Sequence, residues 1–361
     1  MARKKIKTRG NDKNVAEASH QILHDDIISH ILKRLPARVL MQFKCVCKDW
    51  TRLIRDPDFA ESHLSHSRAQ PTASYVLCMT NTGAFAADQS LVLKNSWVPA
   101  NPDLFRTHMP CSNSVNGLIC FGSRGRRPGS RNSHNIVYNL STGEKRDLPQ
   151  PPIPGIFSTY ALGFDPAKKK YKVLHFGPIG GGRIYGQIRG CQIFTLERNS
   201  SWRSLSHVPN SPYPLIRLNS IYLDGKIYYY DQIHIRFFDL TSEKFGTIET
   251  PPYFSPFYNT PPRLIEAGSN LAVVSWRNAV PHPECSFWVL DQNWSLRCTF
   301  SMKFEKIWGS VGRSVLLLGR EDLFLFDANA RTRKKLKKAR DEYTHVLCNH
   351  VENIYPLSTT Q

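Results

Sequence analysis

Apolar residues recur at Leu23, Ile27, Ile28, Ile31, Leu32 and Leu35, in steps of three, four and one. That spacing lays a broad stripe along one side of a 3.6-residue repeat and predicts a helix. Asp25 and Asp26 supply carboxylates at its N-terminal turn, and Pro36 closes the pattern because its ring cannot continue a helix. A second stripe, Val39, Leu40, Phe43, Val46, Cys47, Trp50, Leu53 and Ile54, stops at Asp56-Pro57 and fits either one helix or two short ones. Phe59, Ala60 and Leu64 predict a last turn before the polar run from His63 to Gln70. About forty residues cannot bury this much apolar surface by themselves, since segments of that size leave much of it exposed. A partner surface is implied.

From about Ser74 the periodicity changes: short runs rich in Val, Ile, Tyr, Phe and Trp alternate with turn residues, the pattern of strands. Ile136-Val137-Tyr138-Asn139-Leu140-Ser141-Thr142-Gly143-Glu144-Lys145 reads as a strand, a tight turn and a returning strand. The same phrase recurs from Ile235 to Phe245 and from Leu323 to Arg331, with weaker copies from Gln192 to Arg198 leading to Trp202 and from Phe287 to Gln292 leading to Trp294. The hairpins are spaced by roughly forty to fifty-five residues, the range expected of four-stranded propeller blades. A sandwich of irregular hairpins would share the turn spacing, but the recurring phrase favours an all-β, kelch-related or β-propeller-like domain. Asp224-Gly225 marks a two-residue hairpin turn before Lys226-Ile227-Tyr228-Tyr229-Tyr230, and Asn116-Gly117 precedes Leu118-Ile119-Cys120-Phe121.

At 361 residues the chain has room for two domains. Its net charge of +19 is concentrated in Arg3-Lys4-Lys5-Ile6-Lys7-Thr8-Arg9, in Arg124 to Arg131, and in Arg331 to Lys338. Such clusters can bind nucleic acid or a nuclear import receptor, but solvated tails and loop tips are the commoner case. No helix-turn-helix, zinc finger or RNA-recognition motif accompanies them. No apolar run approaches the ~20 residues of a membrane span, and the first residues carry no apolar stretch of the secretory type, so nucleus or cytoplasm is expected. Nine scattered cysteines fit reduced thiols there.

Candidate chemistry is sparse. Cys45 and Cys47 with His63 and His66 could complete a tetrahedral zinc set, but the one-residue cysteine spacing is outside the usual range. Gly177-Pro178-Ile179-Gly180-Gly181-Gly182 lacks the Gly-Lys-Ser/Thr of a phosphate loop. No nucleophile elbow or His-Glu-x-x-His helix is present. The expectation is a non-catalytic chain with no cofactor and no metal.

The first stripe, with Asp25-Asp26, Ile27, Ile31-Leu32, Arg34-Leu35-Pro36, Leu40, Phe43-Lys44, Val46-Cys47-Lys48, Trp50 and Leu53-Ile54-Arg55-Asp56-Pro57, resembles an F-box. His24 stands where that family usually has Pro. Downstream, Ser114-Val115-Asn116-Gly117-Leu118-Ile119-Cys120, Tyr138 to Thr142, Ala161-Leu162-Gly163-Phe164-Asp165-Pro166 with Tyr171-Lys172-Val173-Leu174, Asp224 to Tyr228 and Phe238-Asp239-Leu240-Thr241 resemble landmarks of the plant F-box-associated interaction domain. Val115 stands where Cys is usual and Leu140 where Pro is usual. The resemblance implies a basic arm over 1–20, an F-box over 21–67, a linker over 68–74, a β-propeller-like domain over 75–356 and a tail over 357–361. It implies a substrate receptor of a Skp-cullin-F-box ubiquitin ligase from a plant, docked on a Skp/Ask-type adaptor and through it on cullin. Leu23, Ile27, Ile31, Leu35, Pro36, Leu40, Val46 and Trp50 are the residues expected to bury against the adaptor or to shape that surface. The target protein is not readable, and a basic nucleic-acid-binding propeller is the alternative.

Overall fold

The computed structural model describes residues 26–70, 75–79, 84–87, 93–94, 104, 108–123, 135–152, 159–177, 190–209, 220–252, 262–277, 284–301, 304, 306–311, 314–318, 323–327, 330–335 and 345–357. The N-terminal part is helical: α1 (residues 26–32), α2 (Ala37–Phe43), α3 (Lys48–Ile54) and α4 (Pro57–Ala69). The second stripe is therefore two helices. They part at Cys47, whose extended backbone (φ −156°) caps α3 and whose Sγ accepts the Trp50 N–H at 3.5 Å. Thr51 Oγ1 bridges the break, its single proton shared between the carbonyls of Lys44 at 2.5 Å and Cys47 at 2.9 Å.

Asp56-Pro57 does more than end that stripe. The Asp56 carboxylate accepts the N–H groups of Asp58 at 2.8 Å and Phe59 at 3.0 Å, and Pro57 sits in the first turn, so the pair starts α4. The last turn expected after Phe59 is in fact a helix of 13 residues that extends to Ala69. Its polar residues remain helical because His63 turns inward, its Nε2 2.9 Å from the Leu35 carbonyl, with Phe59, Ala60 and Leu64 buried beside it.

Among the described residues the rest forms six antiparallel four-stranded sheets. The first joins the two ends of the domain, in the order β24 (His345–His350), β1 (Tyr75–Met79), β2 (Ala84–Ala87) and β3 (Leu93–Lys94). The second holds β4 (His108–Pro110), β5 (Leu118–Ser123), β6 (Asn135–Asn139) and β7 (Lys145–Leu148), and the third β8 (Thr159–Asp165), β9 (Lys170–Gly177), β10 (Gly190–Thr195) and β11 (Arg203–Ser204). The fourth holds β12 (Ser220–Leu223), β13 (Lys226–Tyr230), β14 (Ile235–Asp239) and β15 (Lys244–Ile248). The fifth and sixth are β16 (Arg263–Ala267), β17 (Asn270–Arg277), β18 (Glu284–Leu290), β19 (Trp294–Ser301), and β20 (Lys306–Val311), β21 (Ser314–Leu318), β22 (Leu323–Asp327), β23 (Thr332–Lys335). β8, β12, β16, β20 and β24 pack side by side as innermost strands, and β24, paired with β1, joins the two ends of the domain. The five recurring hairpin phrases are the outer strand pairs of sheets two to six.

Apolar clusters fill the spaces between neighbours: Leu77, Met79, Phe121 and Tyr138 between sheets one and two; Leu118, Val137, Leu162 and Val173 between two and three; Leu174, Ile193, Ile227 and Phe238 between three and four. Sheets four and five meet through Ile221, Ile235, Leu264 and Val273, and five and six through Val274, Phe287, Ile307 and Leu317. One polar join lies between sheets three and four. Lys172 Nζ, almost fully buried, contacts Asp165 Oδ2 at 2.8 Å, Glu243 Oε1 at 3.0 Å and the Leu240 carbonyl at 2.7 Å, while Thr241 Oγ1 donates to Asp165 Oδ1 at 3.0 Å. Burial alone would raise the Asp165 pKa, but Lys172, the Lys168 N–H and Thr241 hold it below the usual carboxylate range. The Asp165, Lys172 and Leu240-Thr241 landmarks are therefore structural, joining one sheet to the next.

Candidate adaptor surface and its seat on the propeller

Ile27 is 55% exposed, Ile31 56% and Val46 60%; among the described residues the one other exposed large hydrophobic is Leu296, at 46%. Ile27 and Ile31 lie one turn apart on the same face of α1. With Leu35, His30, Asp26 and Arg34 they line an open groove of about 610 Å³. Pro36 is exposed and Leu35 half-buried. Trp50 is half-buried and packs its ring against Phe43, centroids 5.2 Å apart. Leu40 differs from the others: it is fully buried with Leu32, Ala37, Ile54 and Phe59, so it shapes the surface from beneath. Leu23 lies outside the described residues.

Cys45 and Cys47 are exposed, Cys47 caps α3, and the buried His63 ring faces the Leu35 carbonyl. Burial lowers the His63 pKa, which favours the neutral imidazole there.

The helical module is seated on the end of the propeller that carries the turns between first and second strands. Lys169, in the β8–β9 turn, reaches Glu61 at 2.7 Å and Asp58 at 4.0 Å on α4. Lys44 reaches Glu144, in the β6–β7 turn, at 3.7 Å; burial lowers its pKa and Glu144 opposes that shift. Arg68 donates to Asn116 Oδ1 in the turn before β5.

Residues 351–357, leaving β24, complete the seat. Ile354 enters the helical core, and Glu352 Oε2 accepts the Ala37 N–H at 2.8 Å. Asn353 donates its backbone N–H to Ser141 Oγ at 3.0 Å and its side-chain amide to Tyr171 Oη at 3.1 Å and to the Asn116 carbonyl. Asn139 Nδ2 donates to the Tyr355 carbonyl at 3.1 Å, and Leu357 N–H to Glu144 Oε2 at 2.8 Å. Gly117, at φ +83°, lies so close that a Cβ there would collide with the Val351 carbonyl and the Asn353 side chain. Sequence reasoning missed this segment. Asn116, Gly117 and Asn139 were visible as turn residues, but nothing in 351–357 has a period that announces its partners.

The arm over 1–20, Arg124 to Arg131, 178–182 and 336–338 lie outside the described residues. Thr332 to Lys335, from the third basic cluster, form the exposed outermost strand of sheet six. No helix among the described residues is long and apolar enough to cross a membrane.

Comparison with known proteins agrees with this architecture. Residues 21–62 match the F-box domain, and residues 76–317 match the F-box associated beta propeller domain. The Arabidopsis thaliana F-box protein At2g21930 is 29% identical over 275 residues, covering 70% of this chain and 67% of that protein. The Arabidopsis F-box protein At1g53790 is 28% identical over 304 residues, covering 79% and 66% respectively, and a third Arabidopsis chain, At3g23960, is 28% identical with 91% of each chain covered. The chain therefore belongs to the F-box associated beta propeller family and carries an F-box domain ahead of its six-sheet propeller.

Proposed function

We propose that the chain is the substrate-recognition subunit of a Skp-cullin-F-box ubiquitin-protein ligase, acting in the nucleus or cytoplasm. The F-box docks a Skp/Ask-type adaptor, and through it cullin, while the propeller holds a target protein. The observation that carries this reading is the placement of Ile27, Ile31 and Val46: three large apolar side chains lie in water on a module whose own core is already filled. Leu35, Pro36 and Trp50 extend that surface, Leu40 supports it, and Leu23 is assigned to the adaptor contact by its place in the F-box motif alone. The receptor makes and breaks no bonds. It contributes proximity, raising the effective concentration of target lysines near the conjugating enzyme, and a module firmly seated on the propeller holds that separation better than a loose tether does.

The test is capture of the full chain by purified Skp-type adaptor. Ile31→Asp and Val46→Asp should each weaken capture by about tenfold or more, because a charge would be desolvated in an apolar interface, and leave the melting temperature unchanged. Undiminished capture by both variants would sink the assignment.

A further inference from the structure

Between α4 and the third sheet lies a cleft of about 480 Å³. The first half of α4 meets this part of the propeller through one long side chain, Lys169, which reaches Glu61 and Asp58, and beside that contact the two units leave space. Ala60 and Leu64 line the F-box side of the cleft. Phe164, Tyr171 and Tyr355 line the propeller side, their rings touching in series with centroids 4.9 Å apart at each step. Tyr171, the middle ring, is buried and its hydroxyl is held by the Asn353 amide at 3.1 Å, while Phe164 and Tyr355 are half-buried and keep ring surface towards the cleft.

The rim is polar, and its charges do not cancel. Lys169 engages Asp58 and Glu61, and Lys170 engages Glu197 at 3.8 Å. Arg55, the residue that ends α3, and Lys168, in the β8–β9 turn, are exposed on the same rim. Neither has a carboxylate within ion-pair distance among the described residues. Arg55 belongs to the F-box and Lys168 to the propeller, so the unmatched positive charge comes from both units.

We propose that this seam binds a small amphipathic anion, a flat ring system carrying one carboxylate, with the ring between Leu64 and the Phe164 and Tyr355 rings and the carboxylate at Arg55 and Lys168. The volume lies within the ~300–1,000 Å³ usual for small-molecule sites, which favour the joint between two folded units. A flat ring covers aromatic surface left in contact with water, and a carboxylate paired with a cation makes a stronger bond than a neutral acceptor does. An uncharged ring would leave both cations without an anion, and a bare anion would leave the rings uncovered. A ligand so placed touches α4 and the β8–β9 hairpin at once, so its binding fastens the F-box to the propeller. The site goes beyond the receptor reading and stands or falls without it.

The probe is naphthalene-carboxylate, titrated calorimetrically against the full chain. Naphthalene-methanol keeps the ring without the charge, and acetate keeps the charge without the ring. The carboxylate probe is expected to bind at least about tenfold more tightly than either control. Arg55→Gln/Lys168→Gln should weaken it by about tenfold or more and leave the melting temperature unchanged, since both side chains are exposed. Phe164→Leu should weaken it by about threefold or more, as for a lost aromatic contact. Lys334→Gln, which removes an exposed cation on β23 in sheet six, should bind as wild type does. Saturation with the probe should slow hydrogen exchange in α4 and the β8–β9 turn. No binding up to about 1 mM, equal binding of the probe and either control, undiminished affinity in the double variant, or protection confined to other sheets would overturn the proposal. Tighter binding of an acetylated Phe-Glu-Glu peptide than of the probe would also overturn it, because the cleft would then belong to a peptide groove.

Discussion

The Ala37 N–H donates to Glu352 Oε2 at 2.8 Å, across 315 positions of sequence. Pro36 precedes α2 and offers no side-chain acceptor, so the first turn of that helix takes its cap from the far end of the chain. A carboxylate at a helix N-terminus also meets the favourable end of the peptide dipoles. Two residues on, Ile354 packs into the core formed by Leu32, Leu40, Ile54 and Phe59. The F-box thus completes its core with a residue of the propeller's last segment.

Removing either contact should loosen the F-box from its seat. Glu352→Ala is expected to cost about 1 kcal/mol, the usual worth of a helix cap. Ile354→Ala should cost about 2–5 kcal/mol, since it leaves a cavity in a small core. Hydrogen exchange should accelerate in α2 and α4 and remain slow in β17 and β18. Equal acceleration throughout would show that the segment does not act locally.

The F-box residues divide into two classes by burial, and the same adaptor assay separates them. Leu40→Ala should lower stability by about 2–5 kcal/mol, and its effect on capture should follow the fraction unfolded. Ile27→Asp should change stability by no more than about 0.5 kcal/mol, as exposed substitutions do, yet lose capture. Trp50→Ala, with its ring only half-buried against Phe43, should cost less than the ~3 kcal/mol lower end for a fully buried ring. Urea melts beside pull-downs give both numbers.

Lys172→Met should destabilise the propeller by about 3–5 kcal/mol, because the Asp165 carboxylate is left buried without its cation. Pairing it with Asp165→Leu should recover much of the loss, since both charges are then gone. If Lys172→Met unfolds at the same urea concentration as wild type, the ion network does not hold sheets three and four together.

Acid should weaken the fold in a definite window. Burial lowers the pKa of His175 and of His350 to about 4, against an ordinary 6.5. Between those values the unfolded chain takes up protons that the folded chain refuses, so this stability is complete above about pH 6.5 and lost as pH falls towards 4. The depressed Asp165 and Glu243 carboxyls add a further loss at lower pH, below the ordinary carboxylate range. Melting temperatures at pH 7.5 and pH 5.0 should differ less in a His175→Gln/His350→Gln variant than in wild type. An equal drop in both proteins would remove these imidazoles from the account.

Features carried by near neighbours were legible before any coordinates. The stripe from Ile27 to Leu35, the Asp224-Gly225 turn with both residues at positive φ, and the five outer hairpins all follow from residues a few positions apart. The family motifs likewise located the exposed Ile27, Ile31 and Val46. The sixth hairpin, β2–β3, escaped notice because Ala84–Ala87 carries none of the recurring phrase.

Other features needed the folded chain. That Leu40 is core and Val46 is surface, though both fall in one stripe of the sequence, is decided by the break before α3, which leaves Val46 in the turn after α2. The full length of α4, the pairing of β24 with β1, the Lys172 network and the caps supplied by 351–357 all join residues far apart in sequence. Spacing along the chain records the face a residue shares with its neighbours on one helix or strand. The partner that meets that face comes from elsewhere in the chain, and only tertiary packing brings it there.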